Sequence, residues 1–310
     1  MAIKNHSDRS GGLPKVVVVA ALWLTVTAAA SQTSFMPFEE RAYRLVNSVA
    51  FDPADETMYF ALLHREVLEH RGLAQQEAPE VALYTAHREG RGWSEPQLLP
   101  FAGRYMDYEP TVTADGTLMV FNSQRPYPDG RISERNDLWM SENGRDGWGE
   151  PRRIDAISTF EHEESYSSLM ADRTLVFSAG RPLPNGEIDF DIYVSEYVDG
   201  YQPATRLPVS TDRYGEGDTL VSQDGSYLIF TRWDDAIGWG ESVDLYIAFQ
   251  EDGRWTEPLA MTTLNTDGAD YGAAVSPDGQ WLYYRANSRF QRVALEPILD
   301  EYRARSTGTP

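Results

Sequence analysis

From residue 48 onward the chain alternates short apolar runs with turn residues, and it does so on a repeating plan. The segments "SVAFDPADETMYF" (48–60), "EPTVTADGTLMVF" (109–121), "SYSSLMADRTLVF" (165–177), "DTLVSQDGSYLIF" (218–230) and "GAAVSPDGQWLYY" (272–284) each place β-branched and aromatic residues on both sides of an Asp-containing turn. That pattern predicts five β-hairpins. A second hairpin follows four of them, in "ALYTAHREGRGWSEP", "DLWMSENGRDGWGEP", "DIYVSEYVDGYQPA" and "DLYIAFQEDGRWTEP". Its aromatic anchors, Trp93, Trp148, Tyr201 and Trp255, stand 55, 53 and 54 residues apart. Four strands in a unit of about 54 residues make one propeller blade, and helical periodicity is nearly absent.

The count gives an all-β, single β-propeller of five blades of four antiparallel strands, with six blades as the alternative. The fifth unit ends early: "RVALEPIL" (292–299) supplies a third strand and no aromatic fourth. The mature N-terminus, residues 31–45, is the candidate for the missing strand, because borrowing it closes the ring without an exposed sheet edge. The propeller then spans 46–300, and 301–310 is a C-terminal tail.

The "SPDG" turn followed by "WLYY", and the "DLY" or "DIY" strand followed by Gly-Trp-x-Glu-Pro, resemble the TolB-like (WD-like) propeller repeats of exported bacterial proteins. The resemblance covers about residues 45 to 298. It implies the propeller fold strongly and function weakly, since such propellers serve as protein-binding modules, as gating domains of peptidases and as stand-alone exported proteins.

The first thirty residues follow another rule. Lys4, Arg9 and Lys15 precede the apolar run "VVVVAALWLTVTAAA", and Ala28 and Ala30 fit a small-residue cleavage site. Residues 1–30 therefore read as a secretory signal peptide, with a periplasmic or secreted product. The run is shorter than the roughly 20 residues a membrane span needs, so no span is expected after cleavage. With no cysteine in the chain, stability must come from packing. Removing the leader's three bases and one acid from totals of 27 and 48 leaves 24 against 47, a net charge of −23. Such a surface argues against nucleic acid and anionic lipid as partners, and the protein is expected to act as a monomer.

Arg125, Arg181, Arg232 and Arg285 recur after the second strand of a blade, while Asp137, Asp191 and Asp244 open the third. Residues serving every blade are structural first, as Arg–Asp pairs or carboxylates accepting turn amides. Eight residues before each turn acid stand Asp107, Glu164, Glu216 and Asp270. This places four carboxylates at one level of the channel mouth, on the face built by loops entering the inner strand and loops joining the second and third strands. Glu109 and Asp218, two residues further on, are expected on the same side of their strands. Tyr108, Tyr166 and Tyr271 lie beside them, with His162 and Glu163 before Glu164.

A ring of acids suits a Ca²⁺ ion among Asp107, Glu164, Glu216 and Asp270, or a cationic or polyhydroxylated ligand on the tyrosines. Simple capping of backbone amides is the alternative. The first blade carries an insertion at 64–80 with His64 and His70, spaced unlike a helical metal pair; His64 remains a candidate ligand contact. There is no G-x-S-x-G, no Cys and no H-E-x-x-H. The leading expectation is a module that binds a protein, peptide or glycan at the channel, with no cofactor beyond the possible calcium. The rival is a glycoside hydrolase or lyase using Asp107 or Glu109, Glu164 and Asp218.

Overall fold

The computed structural model describes residues 45–308, leaving out 53–55, 74, 76, 91, 128, 132–134, 160–161, 183–187, 235–242 and 288. The expected leader, and all but the last residue of the segment expected to close the ring, lie outside the described residues. Within them the chain forms five antiparallel sheets, which excludes the six-blade count.

The inner strands are Leu45–Phe51, Asp107–Val112, Glu163–Leu169, Tyr214–Val221 and Asp270–Val275. Each packs against the next, and the first packs against the last, so the sheets stand as blades around a central channel. Each inner strand pairs with a second strand, which pairs in turn with a third. The second strand is covered on both faces by neighbouring blades, which is why Leu118–Ser123 is buried throughout. Fourth strands are two residues long, as in Thr205–Arg206 of the third blade.

The turns of the opening hairpins form for a local reason. The Asp115 carboxylate accepts from the Thr117 amide at 3.0 Å and the Thr113 hydroxyl at 2.6 Å, and Asp224 and Asp278 repeat this with Ser222 and Ser276. The next residue must turn left-handed, so glycine stands at 116, 225 and 279. In the third blade Arg173 takes that conformation instead, with φ 71°.

The core divides into five clusters, one between each pair of neighbouring blades. The recurrent aromatics belong to these seams. Trp148 of the second blade meets Tyr59 of the first edge-on at 5.7 Å. Phe51 of the first blade meets Tyr283 of the fifth at 5.7 Å and Trp93 at 6.1 Å. Tyr201 and Trp255 likewise pack against the blade before their own.

The fifth blade has three strands among the described residues, ending in Arg289–Ala294. The strand expected over 292–299 therefore stops at Ala294, and a helix follows over Leu295–Ser306, through what the sequence reads as strand and tail. The spacing Leu295, Leu299, Tyr302 is i, i+4, i+7, which puts three apolar residues on one helical face, while Pro297 falls in the first turn, where it is tolerated. All three are buried in the seam between the fourth and fifth blades, with Tyr302 at 0% exposure. Its hydroxyl accepts from the Thr263 amide at 3.1 Å. The helix thus supplies the aromatic filling that the fifth blade's short closing half lacks. Tyr302→Ala is expected to lower stability by about 3 kcal/mol, read as a drop in the urea midpoint; an unchanged midpoint would mean that the helix is an appendage.

Candidate functional site

The four acids at the eight-residue spacing are fully buried, and their own blades engage them. Asp107 accepts from the Ser123 hydroxyl at 2.6 Å and Arg125 at 2.8 Å. Glu216 takes Arg232 at 3.0 Å and the Thr211 hydroxyl at 3.1 Å. Glu164 and Asp270 hold the amide and hydroxyl of Thr159 and Thr266. The threonine four or five residues upstream is thus the acid's standing partner in three blades, a recurrence present in the sequence and missed. Among the described residues no three His, Asp or Glu side chains group as metal ligands would. Arg181 departs from Arg125 and Arg232 by pairing with Asp189 at 2.8 Å and Asp191 at 3.2 Å on the third strand.

Two residues beyond each acid the period-two alternation breaks. Every inner strand carries an irregularity, and in four blades it brings one residue into the left-handed region: Glu109 at φ 52°, Tyr166 at 53°, Asp218 at 48° and Gly272 at 70°. Only glycine accepts this freely, and each of the others costs about 1–2 kcal/mol. The bulge overturns the expectation that Glu109 shares a side with Asp107. Asp107 turns into its own blade, whereas Glu109 accepts from the Tyr166 amide of the next at 3.3 Å and from the Asn122 side-chain amide. Asp218 accepts from the Gly272 amide of the fifth blade. Between them the Thr219 hydroxyl donates to the Tyr166 carbonyl at 2.7 Å. A run of contacts therefore links blades two to five at bulge level.

Beneath the bulges lies a cavity of about 210 Å³. Its walls come from all five inner strands, running from Glu109, Tyr166 and Asp218 to the turn residues Asp52, Ala114, Gln223 and Pro277. It thus extends toward the hairpin-turn end of the channel, not toward the face on which the sequence reading places function. Of the residues expected at the site, Glu109, Tyr166 and Asp218 line it; Asp107, Tyr108, His162, Glu163, Glu164, Glu216, Asp270, Tyr271 and His64 do not. Phe51, Ser167 and Tyr227 line it as well, though the sequence reading attaches no function to them.

The remaining candidates have other partners. Glu163 accepts from the Asn136 side-chain amide at 2.6 Å, and the His162 amide donates to the Thr159 hydroxyl. Burial raises the Tyr108 phenol's pKa, helped by Glu109 and Glu163 and opposed by Asn122 and Asn136. His64 opens the short helix His64–His70 inside the insertion and bonds the Tyr84 hydroxyl in the interior, while His70 is exposed, so the two histidines do not converge.

Burial also sets the charge states. It pushes Glu164 up to about 8 against the pull of the Thr159 amide, and Asp218 up to about 6 against the Gly272 amide. The Tyr166 phenol is raised by burial and then by Glu109, Tyr108 and Asp218.

No family model matches the chain, and neither does any curated protein. Solved structures do. MPT-4, a mannose phosphorylase from Leishmania mexicana, is 10% identical, with 84% of this chain and 86% of that chain covered and a TM-score of 0.50. A protein assigned as TolB from Agrobacterium tumefaciens is 15% identical over 77% and 68%, with a TM-score of 0.49. A puromycin-hydrolyzing peptidase from Mycobacterium tuberculosis is 16% identical, and the match covers 82% of this chain but 38% of the peptidase, with a TM-score of 0.45. The likeness to MPT-4 speaks to the fold alone.

The buried acids give stability a definite pH dependence. Glu164 and Asp218 have folded values above their unfolded ones, so the stability they contribute is complete below about pH 4 and drains as pH rises through about 6 and 8. Asp115, held down to about 2 by Thr113 and Thr117, acts the opposite way and loses its contribution only in strong acid. The urea midpoint is therefore expected to rise as pH falls from 8.5 to 5, and Glu164→Gln to remove the part of that rise that begins near 8. A midpoint that falls over that range would contradict the assignment.

Proposed function

We propose that the protein is an exported, TolB-like binding module that holds one end or one residue of a peptide, protein or glycan in the cavity at the centre of its ring. The carrying observation is that cavity, in which all five inner strands converge on Glu109, Tyr166 and Asp218. Three non-glycine residues kept in left-handed conformation there are a local cost that the surrounding blades must over-determine, and such costs gather at sites of function. The volume of about 210 Å³ is smaller than a drug-sized pocket and suits a single sugar unit or amino-acid residue. The leader-like first thirty residues support export.

Binding suits the site better than hydrolysis. The Glu109 and Asp218 carboxylates accept from backbone amides of the next blade, which fixes them in place as holding groups. A general acid or base instead needs an oxygen directed at the bond being broken. The test is a peptide and glycan array probed with the wild-type protein and with Ala114→Trp, whose indole would obstruct the exposed rim of the cavity. Hits on the wild type that vanish in the variant, with every hit recovered intact, are the expected result. Cleavage of a hit that disappears in Asp218→Asn would replace binding by catalysis.

A further inference from the structure

The cavity's walls are unbalanced in charge. Three carboxylates line it, from Asp52, Glu109 and Asp218, and no Arg, Lys or His does so among the described residues. Asp52 is spent on its own turn, accepting from the Glu56 and Thr57 amides. Asp218 is different. It is buried at 7% exposure, and its one hydrogen-bond donor is a backbone amide, with no basic side chain paired to it among the described residues. Other buried acids have either a cation, Arg125 for Asp107, Arg232 for Glu216 and Arg206 for Asp191, or, for Glu164 and Asp270, both the amide and the hydroxyl of a threonine; Asp218 has one backbone amide. A carboxylate kept in low dielectric without a cation is costly until one arrives.

Two further observations point to what arrives. Aromatic residues from three blades, Phe51, Tyr166 and Tyr227, line the same space, and aromatic faces attract organic cations. Ser167, more than nine-tenths buried, belongs to the same wall, and its hydroxyl has no hydrogen-bond partner. Such a hydroxyl can accept from an N–H donor. Charge, aromatic lining and a spare acceptor together describe a receptor for an ammonium group on a slender apolar stem.

We infer that the central cavity selects a primary ammonium group, such as a peptide's N-terminal amine or an alkylamine, held by Asp218 and Glu109 with its stem against Phe51, Tyr166 and Tyr227. This deepens the binding reading above and rests on it. Peptides fit this chemistry better than neutral glycans do, because a neutral hydroxyl leaves the Asp218 charge uncompensated.

The probes are n-pentylammonium, its neutral isostere 1-pentanol, pentanoate and calcium chloride, titrated calorimetrically into the wild-type protein. The ammonium ion is expected to bind about tenfold or more tightly than 1-pentanol, and pentanoate not at all. Asp218→Asn should lower ammonium affinity by about tenfold or more. If that variant does not fold, Ala114→Trp, which leaves the acids intact, should still abolish binding. Equal binding of 1-pentanol would make the cavity an apolar slot, and competition by calcium would make it a metal site; either overturns the inference while leaving a ligand-binding cavity. No ammonium binding overturns it as well, and if the peptide and glycan arrays are also blank the binding reading falls with it.

Discussion

A strand that ran straight through a propeller's centre would send alternate side chains into the channel along its whole length, and the opposing ones into its blade. Here every inner strand breaks that alternation a few residues in, four of the five with a left-handed residue, Glu109, Tyr166, Asp218 or Gly272. The break has two effects that hold the site together. It releases the preceding acids into their own blades, where arginine and threonine neutralise or cap them, and in the second and fourth blades it swings Glu109 and Asp218 toward the neighbouring blade, where each takes a backbone amide. The acids that look equivalent in the sequence are thereby sorted into structural and cavity-lining sets. Each left-handed residue other than the glycine costs free energy locally, and the packing of the whole ring must offset that cost.

That packing is a sequence of aromatic seams. Four blades carry a tryptophan or tyrosine on their short outer hairpin and lay it on the blade before. The fifth has no such residue within its three described strands, and Tyr302 on the terminal helix fills the corresponding seam. The chain thus solves the same packing problem five times with two kinds of element.

Much of this was legible. The hairpin repeats and the near-constant spacing of Trp93, Trp148, Tyr201 and Trp255 reveal blade number and order, because each blade meets the same burial requirement on two faces. The Asp-Gly turns are local chemistry and read directly. Harder was the bulge, since a one-residue irregularity leaves composition untouched while reversing which side chains face the channel. Counting eight residues back from each turn acid therefore finds Asp107, Glu164, Glu216 and Asp270, all structural in their contacts. Glu109 and Asp218 are found as well, but with the wrong facing and at the wrong end of the channel. The terminal helix was hidden for a related reason. Over the short stretch "RVALEPIL" an apolar run fits strand and helix alike, and only the spacing out to Tyr302 separates them.

Within the cavity the decisive group is Asp218, a buried acid whose contacts among the described residues are all neutral, pushed by burial up to about 6. Its ionisation reports directly on what occupies the cavity. A carbon-13 titration of the Asp218 carboxylate, with the signal assigned through Asp218→Asn, measures its pKa with and without saturating n-pentylammonium. A cation seated beside the carboxylate stabilises its charged form and lowers that pKa. The account predicts a fall from about 6 toward the ordinary aspartate range; an unchanged or higher value in the presence of the amine would contradict it.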